Sequence, residues 1–324
     1  MCYQGILINK RKNWLDSLRA IAMLLVVYGH CVREWTGYFI FTSPIKMPLF
    51  FIISGYLFNT RNGDTRAFSK NLLLKFIIPW LVLGMVHPTN PLSRFIDLIS
   101  GKTLWFMPCL IIGETVWFFI RKYAKSFTIV ITAGVTISAI GYFLSQWQLF
   151  DFAMFDTALV AQVFFVIGFV IREKESIINS NWKYILSLGI PFYIALSIAQ
   201  SYFFPGSVID VHLNNYFNIP YCLIIITVGC VTLFCAFAHY DVSNRILVYI
   251  GQNTLLIYIV HGLGINLFAS LIPNTWGGYY IPTPIYALLR TVFAVTMCCL
   301  FAYFTNRYFP ELVGKKRKFH GTKQ

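Results

Sequence analysis

Long apolar stretches recur along the whole chain, and each is bounded by charged or turn-forming residues. About ten of them have the length of about 17–25 residues that a membrane-spanning helix needs. Their centres lie at Leu24, Ile52, Leu81, Ile112, Val135, Phe165, Ile194, Ile226, Ile259 and Val295. With 57% hydrophobic and only 12% charged residues, the composition excludes a soluble domain. The sequence therefore predicts an all-α, polytopic integral membrane protein of about ten transmembrane helices.

The breaks between these stretches are too short to hold a soluble domain, and no internal repeat is obvious. We therefore expect residues 1–324 to form one integral-membrane domain. Lysine and arginine concentrate in alternate breaks, with about twenty on one side of the membrane. The other side holds only Arg33, Lys46, Arg94 and Lys102. Because short cytoplasmic loops retain cations, both termini are predicted to be cytoplasmic. The net charge of +14 follows from this topology and does not indicate nucleic-acid binding.

The first apolar stretch contains two costly polar residues in the segment RAIAMLLVVYGH, which runs from Arg19 to His30. Eleven residues at about 100° each make three turns plus about 20°, so both side chains lie on one helix face about 16 Å apart. Such a face should point into the bundle or into a water-filled cavity. Asp16 precedes Arg19 by three residues and can pair with it, and Glu34 follows His30 by four.

Residue chemistry alone leaves two interpretations of this polar face open. In the first, Asp16 and Arg19 form an interfacial ion pair and His30 hydrogen-bonds a neighbouring helix. In the second, Arg19 holds an anionic ligand that enters from the cytoplasm, and His30 acts as a base at the far end of that ligand. The spacing of the two residues suits a long, narrow molecule.

The segment LDSLRAIAMLLVVYGH resembles the first-helix signature of the family 3 membrane acyltransferases, in which Arg or Lys is followed after ten residues by His. Four further segments resemble parts of the same family in the same order, two of them in the branch of fucose 4-O-acetylases and their relatives. They are PLFFIISGYLF (48–58), LWFMPCLIIGE (104–114), FFVIGFVIRE (164–173) and GQNTLLIYIVH (251–261). The five segments are spread along nearly the whole chain.

This resemblance implies an O-acyltransferase that moves acetyl from cytoplasmic acetyl-CoA to a sugar hydroxyl of an envelope glycan or its lipid-linked precursor. It also implies a multi-pass protein of the bacterial cytoplasmic membrane, with acyl-CoA, a glycan acceptor and membrane lipids as partners. Arg19 and His30 match the essential pair of the family. His30 would activate the acceptor hydroxyl as a general base or would carry the acetyl group transiently. The oligomeric state is not indicated.

The sequence departs from the family where many members carry an R-x-x-R pair before the third helix. In FSKNLLLKFIIP, Lys75 takes the second basic place and Leu72 takes the first. Lys70, on the other side of the gap, could substitute, although lysine offers phosphate no bidentate fork. We therefore predict that Arg19, with Asp16 beside it, Lys70 and Lys75 form the donor site. Alternatively, the two lysines only contribute to the positive charge that is typical of cytoplasmic loops.

The remaining intramembrane polar residues are assigned by their depth in the spans. Glu114 lies near mid-bilayer, where a carboxylate is expensive, and is predicted to be catalytic together with His30. On the acceptor side or in support of the site we place Glu34, Ser54, Tyr56, Trp105, Asn253 and His261. Packing hydrogen bonds, or an aromatic belt in the case of Trp105, are the alternatives. The histidines at 87, 212, 239 and 320 are assigned no role.

Other chemistries find little support in the sequence. It contains no G-x-x-x-x-G-K-[ST], H-E-x-x-H or G-x-S-x-G motif, and its eight cysteines include no C-x-x-C pair, so we predict no metal. The main alternative is a transporter or export component for a polysaccharide or another envelope substrate, because polar residues inside a bundle also mark substrate pathways. Against this alternative, no paired repeat halves are visible.

Overall fold

The computed structural model describes residues 11–32, 36–60, 63–86, 90–147, 152–273, 275–276, 279–280 and 282–315. Glu34, which was predicted to support the site, lies outside these ranges. Sixteen α-helices occur within them. The first eight are α1 (Asn13–Cys31), α2 (Thr36–Lys46), α3 (Pro48–Leu57), α4 (Thr65–Leu72), α5 (Ile78–Gly84), α6 (Pro91–Ile99), α7 (Phe106–Tyr123) and α8 (Phe127–Gln146). The others are α9 (Phe155–Val160), α10 (Gln162–Glu173), α11 (Glu175–Ser180), α12 (Trp182–Phe203), α13 (Ile219–His239), α14 (Arg245–Gln252), α15 (Thr254–Leu271) and α16 (Thr283–Tyr308).

Short irregular elements complete the described chain. A π-helical segment, Leu73–Ile77, joins α4 to α5, and 3₁₀ turns cover Phe152–Met154 and Pro310–Val313. The β-structure in the described ranges is one antiparallel pair of two-residue strands, Thr275–Trp276 and Tyr279–Tyr280, in which Thr275 pairs with Tyr280. The prediction of an all-α architecture is therefore confirmed apart from this small hairpin.

In the described part of the chain, seven helical segments are long and apolar enough to cross a membrane. They are Gly37–Leu57, Thr65–Gly84, Phe127–Gln146, Trp182–Phe203, Ile219–His239, Thr254–Leu271 and Thr283–Tyr308. The bent pair Phe152–Val160 and Gln162–Glu173, with 43° between its halves, makes an eighth if it is one span. A multi-pass membrane protein is thus confirmed.

The predicted number of ten spans is not confirmed. Every predicted centre lies in a helix, but α1 and α7, which hold the centres Leu24 and Ile112, are not among the membrane-capable segments. Both helices are long enough to span, but they carry charged side chains: Asp16 and Arg19 in α1, and Glu114 with two basic residues in α7. The cytoplasmic location of the termini stays a prediction.

Helix boundaries follow from local chemistry. The side chains of Asn90, Asn218 and Asn244 accept hydrogen bonds from backbone N–H groups in the first turns of α6, α13 and α14. Asp64 and Ser126 cap α4 and α8 in the same way. Each cap satisfies a donor that has no partner within its helix, so it stabilises the helix start.

Helices α3 and α10 cross with their backbones in direct contact, because both carry glycine at the crossing. A Cβ at Gly55 would overlap the carbonyl group of Phe165, and a Cβ at Gly168 would overlap the carbonyl group of Ile52. Small residues permit this close approach. In lipid the hydrophobic effect does not drive helices together, so close van der Waals packing of this kind holds them in contact. Gly55 of the Ser-Gly step in α3 is therefore part of a helix interface.

Helix α1 lies inside the bundle rather than at its edge. It contacts α2, α3, α13, α14, α15 and α16, and Leu18, Ala20, Ala22 and Val27 on it are fully buried. One continuous cluster of buried apolar side chains includes residues from α1 through α16. The polar face of α1 is therefore positioned by helices from nearly the whole length of the chain.

Candidate functional site

One face of α1 lines two separate cavities. Arg19 and Met23 line a cavity of about 600 Å³, which we call the Arg19 cavity. Val26 and His30 line a second cavity of about 300 Å³, which we call the His30 cavity. The four residues recur at intervals of three or four, which keeps them on one side of the helix. The two residues of the R-x10-H pattern therefore face different chambers along one helix.

The Arg19 cavity is rich in positive charge. Arg11, Arg19, Lys75 and Lys315 line it, whereas Glu114 is the acidic residue on its wall within the described chain. Glu114 is close enough to Arg19 for the two charges to attract each other. Even when the Asp16 carboxylate that pairs with Arg11 and Arg19 is counted beside Glu114, four cations meet two carboxylates, and this positive net charge suits an anionic ligand.

A buried carboxylate holds two of these cations in place. Asp16 is 3% exposed, and its Oδ2 and Oδ1 accept hydrogen bonds from Arg11 Nε at 2.6 Å and Arg11 Nη2 at 3.1 Å. Arg19 Nη1 donates to Asp16 Oδ1 over a longer distance of 3.4 Å, and Gln252 Nε2 lies 3.4 Å from Oδ2. The predicted pair of Asp16 and Arg19 is therefore present, but Arg11 is the stronger partner of Asp16.

This cluster depends on a close contact between α1 and α14. A Cβ at Gly251 would overlap the backbone carbonyl group of Asp16, so only glycine allows the two helices to meet here. The contact brings the end of α14 to Asp16, and Gln252 and Asn253 to the wall of the Arg19 cavity.

The lysines that were predicted from the R-x-x-R departure separate in the structure. Lys75 lies in the π-helical segment and lines the Arg19 cavity, as does Leu72 just before that segment. Lys70 is exposed on α4 and lines neither cavity. Its predicted substitution for the missing basic residue has no support from this placement, because the side chain does not reach the wall.

The His30 cavity combines imidazole, ammonium, carboxylate and aromatic groups. His30, Lys46, Trp105, Asp210 and His212 line it. The His30 side chain is exposed to this space and makes no hydrogen bond to any residue that the structure describes. A free imidazole at a cavity wall has both nitrogens available to a bound molecule.

A second histidine, His261, lies next to His30. The ring of His261 lies 5.1 Å from that of His30 between centroids, and it is buried. His261 Nδ1 lies 2.7 Å from the carbonyl oxygen of Tyr258, which can only accept a hydrogen bond. Nδ1 therefore carries the hydrogen, and Nε2 of the neutral ring keeps its lone pair. Among the described residues, no three metal-ligating side chains come together, and the absence of a metal stays a prediction.

The segment between α12 and α13 supplies one wall of the His30 cavity. Asp210 Oδ1 accepts from the backbone N–H groups of His212 and Leu213, at 2.9 and 3.3 Å. Asn214 Nδ2 donates to Asp156 Oδ2 at 3.1 Å and to Thr157 Oγ1 at 2.9 Å, which ties the segment to the start of α9. These bonds fix an irregular loop over the cavity.

His212, to which the sequence assigned no role, lies in this wall. Its ring stacks on Trp105 with a centroid distance of 4.9 Å and an interplanar angle of 24°. Burial lowers the pKa of His212, and the nearby carboxylates of Asp210 and Asp156 only partly offset that effect. No sequence motif marks His212, since a loop contributes it and the contact with Trp105 spans more than a hundred residues.

Lys46 was also missed by the sequence reasoning, which used it only as a topological charge. Its ammonium group lies 4.6 Å from the ring centre of Phe39, within the range of a cation–π interaction, and lines the His30 cavity. Asp210, which lines the same cavity, is close enough to attract it. Lys46 therefore places a positive charge in the same space as His30.

One residue belongs to both cavities. Tyr258 lines each of them, and its hydroxyl oxygen accepts a hydrogen bond from the backbone N–H of Phe106 at 3.0 Å. Phe106 in turn packs against Phe50 and Phe51. An aromatic wall centred on Tyr258 therefore separates the charged Arg19 cavity from the His30 cavity.

Several of the predicted site residues are divided between the two cavities. Glu114, predicted to be catalytic, lines the Arg19 cavity and not the His30 cavity. Ser54 and Asn253, predicted on the acceptor side or in support of the site, also line the Arg19 cavity. Trp105 is in the His30 cavity, and His261 lies behind His30. The depth of a residue in its span therefore did not tell which chamber it faces.

Tyr56 lines neither cavity. Its hydroxyl group contacts Lys12 Nζ at 2.5 Å and donates to Glu175 Oε2 at 3.0 Å, while Lys12 pairs with Glu175 Oε1 at 2.6 Å. Burial works to lower the pKa of Lys12, but the hydrogen bonds to Glu175 and Tyr56 together raise it. This network joins the chain before α1 to α3 and α11, so the observed contacts of Tyr56 are structural.

The bundle thus combines an anion-suited cavity and a histidine-lined cavity along one helix. The family model of the acyltransferase 3 domain matches residues 12–303. The chain therefore belongs to the acyltransferase 3 family, and the predicted resemblance is confirmed. No curated protein and no solved structure matches the chain.

Proposed function

We propose that this protein is an O-acetyltransferase that moves acetyl from acetyl-CoA to a sugar hydroxyl of an envelope glycan or its lipid-linked precursor. The observation that carries the proposal is the division of α1 between two cavities, with Arg19 in the electropositive one and His30 in the other. An acyltransferase needs one site for an anionic donor and one for a neutral acceptor, with a catalytic group between them. Family membership favours this function over transport.

The Arg19 cavity is the proposed donor site. Its four cations suit the phosphates of coenzyme A, because charge-assisted hydrogen bonds to phosphate are among the strongest that side chains make. Arg19 and His30 are separated by about 16 Å along the helix, and an extended pantetheine arm laid along α1 would carry its thioester towards His30. The arm would pass Tyr258, which borders both chambers. In this proposal the donor cavity faces the cytoplasm of a bacterium, where acetyl-CoA is available.

The His30 cavity is the proposed place of reaction. The acceptor oxygen attacks the thioester carbonyl carbon while an imidazole nitrogen of His30 takes the hydroxyl proton. The C–S bond then breaks, and the departing thiolate receives that proton, which gives an acetyl ester and free coenzyme A. The alternative order, in which the acetyl group rests on His30 before transfer, uses the same geometry. The ammonium group of Lys46 is the candidate to stabilise the oxyanion.

The acceptor would lie against the aromatic side of the same cavity. Trp105 stacked on His212 offers a flat surface with polar edges, and Asp210 adds a hydrogen-bond acceptor. Such a mixture of aromatic and polar groups suits a sugar ring, which has apolar faces and hydroxyl edges. His261, whose Nδ1–H is held by the carbonyl of Tyr258, would support the orientation of His30.

The test measures thiol release from acetyl-CoA by the purified full chain in lipid nanodiscs, with a bacterial extract of lipid-linked glycans as acceptor. His30→Gln should lower the rate by about 10²-fold or more, the usual scale of lost general base catalysis. His239→Gln is the matched control, because His239 is exposed at the end of α13, stacks on Trp182 and lines neither cavity. It should keep the wild-type rate.

Mass spectrometry of the extract should show sugars that carry one added acetyl group with the wild type and not with His30→Gln. If His30→Gln releases thiol as fast as the wild type, the assignment of His30 is wrong. If the wild type binds acetyl-CoA but neither releases thiol nor modifies any glycan, the proposed activity is wrong.

A further inference from the structure

The chain after α16 folds back onto the rim of the Arg19 cavity. The 3₁₀ turn Pro310–Val313 contacts α5 and the π-helical segment Leu73–Ile77. Gly314 follows with φ of 66°, a left-handed conformation that side chains disfavour, and it lies against the carbonyl of Leu74 and the backbone of Lys75. This turn delivers Lys315 to the cavity wall, where Lys75 also lies.

A chain of side-chain amides fixes Lys315 there. Lys315 Nζ donates to Asn306 Oδ1 at 2.6 Å, and Asn306 Nδ2 donates to Asn253 Oδ1 at 2.7 Å. Asn253 Nδ2 in turn donates to the carbonyl of Tyr249 at 2.8 Å. Every member is a neutral amide or a carbonyl, so the network holds the ammonium group in position without neutralising its charge.

The charges of the cavity rim are unequally compensated. Arg11 and Arg19 share the carboxylate of Asp16. In the part of the chain that the structure describes, neither Lys75 nor Lys315 has a carboxylate within ion-pair distance. Burial and the neighbouring charge of Arg11 lower the pKa of Lys315. Like charges held together at a cavity wall are costly unless an anion occupies the space between them.

We propose that Lys315 and Lys75 together bind a phosphate group of the nucleotide end of acyl-CoA. This inference rests on the proposed function, which it deepens by naming the donor's phosphate contacts. Lys315 would supply the positive charge that is missing at Leu72, the first place of the family's basic pair, from the opposite end of the chain. Two lysines suit this role because Lys75 can direct up to three N–H groups at phosphate oxygens, and Lys315 keeps an N–H group besides those that it donates to Asn306 and Asn253.

The experiment compares binding of coenzyme A and of pantetheine, which lacks all phosphates, to the purified full chain in phosphatidylcholine nanodiscs by calorimetry. Lys315→Gln should weaken coenzyme A binding about tenfold, which corresponds to about 1.4 kcal/mol, and leave pantetheine binding unchanged. Lys315→Arg should keep most of the affinity for coenzyme A. Lys125→Gln is the matched control, because Lys125 is exposed between α7 and α8 and lines neither cavity.

The outcomes separate this proposal from the proposed function. If the wild type binds coenzyme A and transfers acetyl, but Lys315→Gln binds coenzyme A as tightly, only the phosphate site is refuted. Equal loss of coenzyme A and pantetheine affinity would also refute it, since it would show a general distortion of the cavity. A difference between wild type and Lys315→Gln that appears only in nanodiscs with anionic lipid would assign the site to a lipid headgroup instead. A wild type that binds no coenzyme A would overturn both proposals.

Discussion

Replacing Arg19 by glutamine should impair donor binding while leaving the fold intact. Arg19 makes one long contact with Asp16, at 3.4 Å, and its side chain is 28% exposed. Asp16 would keep the two shorter bonds to Arg11, at 2.6 and 3.1 Å, so the substitution does not leave a buried carboxylate unpaired. We expect the free energy of unfolding to fall by about 1 kcal/mol or less, as for a weak ion pair.

The effect on the donor should be much larger. If Arg19 contacts a phosphate of acetyl-CoA, Arg19→Gln removes a charged hydrogen bond of about 1.5–3 kcal/mol, and the dissociation constant should rise about 10–150-fold. The assay is calorimetric titration of acetyl-CoA into purified wild type and variant, together with thermal unfolding followed by tryptophan fluorescence. Both measurements use the same detergent and the same salt, because exposed charge interactions weaken as salt rises.

Arg11→Gln provides the contrasting perturbation. It removes both short bonds to Asp16 and leaves that residue with the 3.4 Å contacts of Arg19 and Gln252. The free energy of unfolding should therefore fall by about 1.5–3 kcal/mol, the cost of losing hydrogen bonds to a charged group. Two results would refute this reasoning, which assigns Arg11 to the stability of the fold and Arg19 to donor binding. One is that Arg19→Gln destabilises the protein as much as Arg11→Gln, and the other is that it leaves acetyl-CoA affinity unchanged.

Three further predictions concern the acceptor side and the bundle. Trp105→Leu should raise the KM for the glycan extract and leave the dissociation constant of acetyl-CoA unchanged; an effect confined to acetyl-CoA would place Trp105 with the donor. Gly168→Leu should lower the yield of folded protein and its thermal stability, because a side chain cannot fit between α10 and the Ile52 carbonyl, and unaltered stability would contradict the observed crossing. The pKa of His212 is lowered by burial, despite the opposing effect of Asp210, so the folded loop favours the neutral ring. The stabilisation that this ring contributes should be complete above its ordinary pKa of about 6.5 and lost as pH falls through the lower folded value. The hydrogen-exchange protection factors of the segment 205–217, which correct for the slower intrinsic exchange at lower pH, should therefore decrease on acidification in the wild type, and His212→Gln should remove this pH dependence.

Local sequence was sufficient for the features that depend on one helix at a time. The lengths of the apolar stretches predicted a helix at every centre from Leu24 to Val295, because a membrane span is set by the thickness of the bilayer. The eleven-residue interval from Arg19 to His30 fixed their common face through helix geometry alone. The motifs were specific enough to give the family, which the family match over residues 12–303 confirms. The count of ten spans is not confirmed, since α1 and α7 are not among the membrane-capable helices.

Tertiary structure decided which residues share a chamber. Asn253 and Ser54 lie with Arg19 rather than with His30, and Tyr56 pairs with Lys12 and Glu175, although all three belong to segments that resemble the family. Positions of this kind depend on how helices rotate against one another, which close contacts such as Gly251 on Asp16 fix and which no local pattern records.

The sequence by itself determined that this chain is a helical membrane protein with a cation and an imidazole on one face of its first helix, because hydropathy and helical periodicity are local properties. Only the tertiary structure decided that Lys315 from the far end of the chain joins Lys75, and that Lys46 and His212 join His30. These groups come together through long-range packing, and they can act on one ligand only because they line a common cavity.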